Sequence, residues 1–165
     1  MRIAHAAFLA LALGFFVSGA AAEPMTLDVV LSPKNQINLD FKDNDRHFLI
    51  LMYREGTAGG DGVFEGAKVL EYGVHEITVG EGGIASGYFE ATTVGGDVAY
   101  LKWSLRAFYV AGSGDKPRIV NSGYWELAGG TGQFANMRGV GTMLLEFVSK
   151  TERRFVLEGE ISTAP

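Results

Sequence analysis

The chain has 165 residues, with 14 Lys and Arg against 19 Asp and Glu for a net charge of −5, and it has no cysteine. The missing cysteines exclude disulfides, thiol catalysis, cysteine-based zinc sites and a lipid-anchored lipoprotein. No basic residues cluster, which argues against nucleic acid as a partner.

The N-terminal residues 1–22 read as a secretory signal peptide. Arg2 supplies the positive end, residues 8–17 a short apolar run, and Ala20, Ala21 and Ala22 the small-residue cleavage pattern. Export of a bacterial type is the expectation, to the periplasm or the medium. The apolar run is short for a membrane span, an uncleaved anchor being the alternative. Residues 23–165 then form one domain with a real core and no membrane span.

Beyond that segment helical periodicity is hard to find and period-two alternation is easy to find. Strands are predicted over residues 26–31, 46–55, 67–79, 84–94, 98–110, 118–128, 139–149 and 153–162. Residues 32–36 (SPKNQ) read as a turn, residues 56–62 as a glycine-rich loop, and Gly73 as a bend or bulge inside its strand. The resulting fold class is all-β: a single antiparallel eight-stranded up-and-down barrel, with a β-sandwich as the competing architecture. GDGVF at residues 60–64 echoes GTGQF at residues 130–134. Two similar corners of one barrel explain that echo, with chance as the alternative.

GGTGQFA, residues 129–135, contains the G-x-G-x-x-A of a dinucleotide site. Such a fingerprint needs a helix opening on the glycines inside a βαβ unit. Here FANMRG allows one turn before the next strand, and no phosphate-binding Lys-Ser/Thr follows. Glu152 lies near the spacing of a ribose-binding acid but falls in a charged hairpin turn. The glycines therefore read as a tight corner, with Phe134 plugging one barrel end. No cofactor is expected.

The stretch GYWELAGGTGQFANMRGVGTM, residues 123–143, resembles the corner of the allene oxide cyclase and dirigent superfamily. Those barrels carry G-G-T/S/A-G-x-F, then a short turn and a glycine at the next strand's start. Gly129, Gly130, Thr131, Gly132, Phe134 and Gly139 stand at those positions. The resemblance implies a calycin-like barrel, assembled as a homotrimer, with one end open to a hydrophobic cavity. It also implies cofactor-free cyclisation, coupling or tautomerisation of small apolar molecules. No catalytic residue is carried over, because the chain does not match the plant motifs outside the corner.

Parity selects the inner face. Ala99, Leu101, Trp103, Leu105, Ala107 and Tyr109 alternate with Lys102, Ser104 and Arg106. An apolar row left in water costs about 25 cal/mol per Å², so the odd row is assigned to the lumen. The same parity puts Ile119, Trp125 and Leu127, then Met143, Leu145 and Phe147, then Phe155, Leu157 and Ile161 inside. Inverted parity is the alternative: a polar lumen built on Lys102, Arg106, Tyr124, Glu126, Glu158 and Glu160. Polar residues of the inward row are His75, Asn121 and Glu71, with Tyr53 and Tyr109 as amphipathic tips. His75 suits acid, base or donor work near neutral pH, and a plain rim histidine is the alternative. Asn121 can orient a ligand carbonyl or satisfy a backbone group. His75 and Asn121 are the candidate catalytic residues. Tyr53, Trp103, Tyr109, Trp125 and Phe147 are the candidate ligand wall, with packing as the alternative for the tryptophans. No metal site is expected, since His47 and His75 lie on different strands. The expected partner is a small apolar or aromatic ligand, and the expected chemistry is cofactor-independent cyclase or tautomerase action. A non-catalytic binding protein of the periplasm is the alternative, and a structural role in the envelope is the third reading.

Overall fold

A computed structural model describes residues 21–42, 45–112 and 116–164. The expected signal peptide, up to residue 20, lies outside the described residues. Eight strands follow one another: β1 (Glu23–Asp40), β2 (His47–Gly59), β3 (Lys68–Thr78), β4 (Gly82–Thr92), β5 (Val98–Val110), β6 (Arg118–Gly130), β7 (Met137–Phe147) and β8 (Arg153–Thr163). Each pairs with its chain neighbour, and β8 pairs antiparallel with β1, so the sheet closes into a barrel in chain order. The continuous ladder excludes the sandwich. Among the described residues no helix is long and apolar enough to cross a membrane.

Alternation decides which side of each strand is buried. Leu27, Leu31, Val69, Phe89, Leu101, Phe155 and Leu157 are all fully buried in the lumen. Lys102, Arg106, Glu126, Glu146, Glu158 and Glu160 are exposed on the outer face of β5 to β8. The odd rows of these strands are therefore inside, and the inverted, polar lumen is overturned.

Three local expectations change. The glycine-rich loop expected over residues 56–62 is strand as far as Gly59, β2 pairing with β1 up to Gly59 and with β3 up to Thr57. Residues 32–36 form no turn: β1 runs straight through them, with its register shifting between Pro33 and Asn35. A bulge absorbs a proline that has no N–H to give, so the strand continues. Beyond Leu31 the pairing with β8 stops, and Asn35 to Asp40 pair with β2 alone. Gly73 makes no bend either, since pairing runs unbroken from Met52 through Gly73 to Gly87.

The two ends of the barrel differ. At one end the echoed corners meet: Phe64 and Phe134 stack with centroids 5.4 Å apart and planes 5° from parallel. Both rings are sealed, which contributes about 1.5–3 kcal/mol each. The corner itself is a single 3₁₀ turn, Gly132–Phe134. Gly132 takes φ +51, and a Cβ there would sit 1.8 Å from the Asp97 carboxylate. That carboxylate accepts the Gln133 N–H at 3.2 Å, and the Val98 N–H donates to Thr131 Oγ1 at 2.9 Å. The glycine stretch thus clips a corner onto the β4–β5 turn and holds a plug. At the other end β6 and β7 pair only from Ser122–Leu144 to Glu126–Val140, so their ends separate where β1 also leaves β8. That end is open.

Candidate functional site

The open end holds a cavity of about 190 Å³. Phe48, Ile50, Ile77, Leu105, Ile119 and Phe147 supply most of its apolar wall, and Arg54, His75, Asn121 and Arg153 its polar groups. The volume is a little above the ~150 Å³ that accommodates benzene in an engineered cavity and below the ~300–1,000 Å³ of drug-sized sites. One small ring fits.

The polar network grows from strand geometry. Arg54 and Glu71 are direct partners across β2 and β3. His75 lies four residues beyond Glu71 on the same face of β3, because side chains alternate with a period of two. Arg54 Nη1 donates to Glu71 Oε2 at 2.5 Å, and His75 Nε2 lies 3.1 Å from Glu71 Oε1. Glu71 is fully buried, and the His75 side chain is 12% exposed. A carboxylate out of water is tolerated only when paired and hydrogen-bonded, and Glu71 is engaged at both oxygens. Gly73, between Glu71 and His75 on the inward face, clears the space. A Cβ at Gly73 would lie 2.8 Å from Glu71 Oε1 and 2.9 Å from His75 Nε2. Trp103 supports the imidazole from the core side, with ring centroids 5.8 Å apart.

Asn121 and Arg153 mark the rim. Asn121 Nδ2 donates to the Leu145 carbonyl at 3.4 Å, bridging β6 and β7 just past the end of their ladder. Arg153 pairs with Phe147 across β7 and β8, and its guanidinium sits 4.2 Å from that ring's centroid. Its Nη1 also donates to the carbonyls of Ser149 at 3.1 Å and Glu152 at 2.9 Å. Burial, and secondarily the charge of Arg54, hold Arg153 below the usual arginine range, with Glu71 opposing.

His75, Asn121 and Phe147 therefore line one cavity. The other expected wall residues do not. Trp103 and Trp125 are buried in the core toward the closed end, where they pack instead of facing the cavity. Trp125 lies across glycines, a Cβ at Gly141 falling 2.6 Å from its Nε1, and that Nε1 donates to the Glu158 carbonyl at 3.2 Å. Tyr53 points outward, because Met52 and Arg54 take the inward positions of β2. Its hydroxyl donates to Glu55 at 2.6 Å, and that hydrogen bond pushes its pKa up to about 12. Tyr109 continues the inward row past the cavity and is 37% exposed at the rim.

Arg54 and Arg153 are the site residues that the sequence reading missed. The outward row of β2, with Leu49, Leu51 and Tyr53, is as apolar as its inward row, so alternation does not separate them. Arg153 was within reach: it shares the odd parity of Phe155 and Leu157. A second hollow, about 310 Å³, lies on the outer face between Ile37, Leu51, Tyr53, Tyr72 and Val74. Among the described residues no ionised side chain lines it, and it belongs to the exposed apolar face of β1 to β3.

No family model matches the chain, and no curated protein matches it. Among solved structures, a pterocarpan synthase dirigent protein is similar, with a TM-score of 0.55 at 12% identity over 96% of this chain and all (100%) of that one. The fold is a dirigent-like barrel. A DUF3224-family protein of unknown function from Shewanella oneidensis MR-1 is also similar, with a TM-score of 0.49 at 16% identity over 88% of this chain and 99% of that one. At these identities the likeness of the dirigent-like barrel to the first structure concerns architecture, and the chemistry rests on the residues described above.

Proposed function

We propose that the protein is an exported, cofactor-independent enzyme of the cyclase or tautomerase kind, acting on a small hydrophobic or aromatic molecule in the open-end cavity. One observation carries this reading: His75 stands at the wall of an apolar cavity, oriented by the buried carboxylate Glu71, which Arg54 holds in turn. An imidazole fixed through one nitrogen can take a proton from a bound molecule at the other and return it to a different atom of that molecule. Glu71 stabilises the imidazolium formed in between, and Glu71 and Arg54 act as positioning residues. The spare amide hydrogen of Asn121 can hold a substrate carbonyl whose oxygen gains charge as the proton leaves. The dirigent-like fold supports the substrate class, and the apolar wall supports binding without a cofactor.

A non-catalytic binding protein is the second reading, supported by the same apolar wall. His75→Asn separates the two. With single-ring phenols and ketones as ligands, an enzyme loses about 100-fold or more in kcat while Kd by calorimetry stays within a few-fold. If no tautomerisable ligand turns over in the unaltered protein, and His75→Asn leaves binding intact, the enzymatic reading fails and the binder stands. Export is tested by N-terminal sequencing of protein recovered outside the cytoplasm, with Glu23 expected as the first residue.

A further inference from the structure

We infer that the cavity takes an anion: a compact single-ring molecule whose ionised oxygen group, carboxylate or phenolate, docks against Arg153. This rests on the open-end cavity being the ligand site. Among the described residues its wall carries two guanidiniums, an imidazole and an amide, but no carboxylate, in a chain whose net charge is −5. A cluster of cations lining a small hollow of an acidic protein is a local reversal of sign. Glu71, the acid behind that wall, has both oxygens occupied by Arg54 and His75.

Neither guanidinium has both a carboxylate partner and a full set of acceptors among the described residues. Among the described residues Arg153 meets main-chain carbonyls and the face of Phe147, with no carboxylate in contact. Arg54 spends Nη1 on Glu71, and its Nε is buried without an acceptor. A partly desolvated cation without a counter-charge is costly, and an anionic ligand relieves that cost. Burial already presses Arg153 toward losing its proton, the direction an incoming anion reverses. Phe147, beneath the guanidinium, supplies a flat apolar surface next to the charge. The cavity of about 190 Å³ limits the remainder to one ring.

The test compares benzoate with its neutral isostere benzamide, and ionised 4-nitrophenolate with nitrobenzene, by calorimetry on the mature chain. Benzoate or the phenolate is expected to bind about tenfold or more tighter than its neutral partner, as a charge-assisted hydrogen bond requires. Arg153→Gln is expected to remove that advantage and leave the neutral compounds unchanged, while Arg153→Lys keeps part of it. Because Arg153 also holds the β7–β8 turn, a salt titration of the unaltered protein gives a second reading. Kd for the anions should rise with salt, and Kd for the neutral compounds should not. The arm that shows the preference tells carboxylate from phenolate. Equal affinity for anion and isostere, or a preference that survives Arg153→Gln, overturns the inference and leaves the cavity as a site for neutral ligands. If none of the four compounds binds, the cavity reading itself falls, and the inference falls with it.

Discussion

Glu71 is the residue on which the open end depends. It is 0% exposed and sits between a guanidinium and an imidazole. Arg54→Met strands that carboxylate without a permanent counter-charge, an expected loss of about 3–5 kcal/mol. Replacing both, Arg54→Met with Glu71→Leu, removes the buried charges together and should recover most of that loss or exceed wild-type stability. Urea denaturation of the single and double variants checks this. A single variant no less stable than the double would show that Arg54 is not what makes the buried carboxylate tolerable. This pair was half legible in the sequence. Glu71 and His75 share a parity, which a period of two reveals. Arg54 is brought opposite Glu71 by the β2–β3 register, and an apolar outward row on β2 hides which of its faces is inner.

At the scale of the strands, closure rests on the seam between the first and the last. Arg154 of β8 donates to Asp28 of β1 through Nε at 2.8 Å and Nη2 at 2.5 Å, and to Glu146 of β7 through Nη1 at 3.1 Å. One side chain thus spans three strands. The hydrogen bond from Arg154, reinforced by its charge, holds the Asp28 carboxyl below its ordinary value of 3.8, against a smaller opposing effect of burial. A carboxyl whose folded pKa is depressed stabilises fully above its unfolded pKa, near 3.9, and loses that contribution as pH falls through the folded value. Asp28→Asn should therefore cost up to about 1 kcal/mol near neutral pH, the ceiling for a partly exposed pair. The deficit should begin to shrink as pH falls below the unfolded value of about 3.9 and should vanish only at a pH below the depressed folded value, where the wild-type carboxyl is itself protonated. Urea midpoints at the two pH values decide it, and a deficit that is the same at both removes Asp28 from the seam's acid response. Strand order and most strand ranges were readable from alternation, β5 at residues 98–110 without change. The extension of β1 was not, because proline signals a turn locally, and only the partner strand shows that a bulge accommodates it.

For the whole molecule the outer surface raises the question of assembly. Tyr53, Tyr72 and Tyr88 stand in register across β2, β3 and β4, followed by Lys102 and Glu126. Ile37, Leu51, Val74 and Ile84 are exposed around that row. A contiguous apolar face of this kind marks an interaction surface, and the homotrimer implied by the superfamily resemblance is the proposed occupant. Light scattering behind size exclusion should give three chains per particle. Tyr72→Glu, half exposed at 50% and not among the residues lining the open-end cavity, should yield a monomer with an unchanged strand spectrum. A wild-type monomer at micromolar concentration would end the trimer proposal.

The amino-acid sequence by itself determined the all-β class, the eight strands, the odd inward rows of β5 to β8 and the corner with its Phe134 plug. These are set by local chemistry: alternation of apolar and polar side chains, and glycines where the backbone must turn tightly. Only the tertiary structure decided which barrel end is open, that the tryptophans pack as core, and that Arg54, Glu71, His75 and Arg153 converge. Those depend on register and on where neighbouring ladders stop, quantities fixed by pairing between strands far apart in the chain and carried by no single stretch of it.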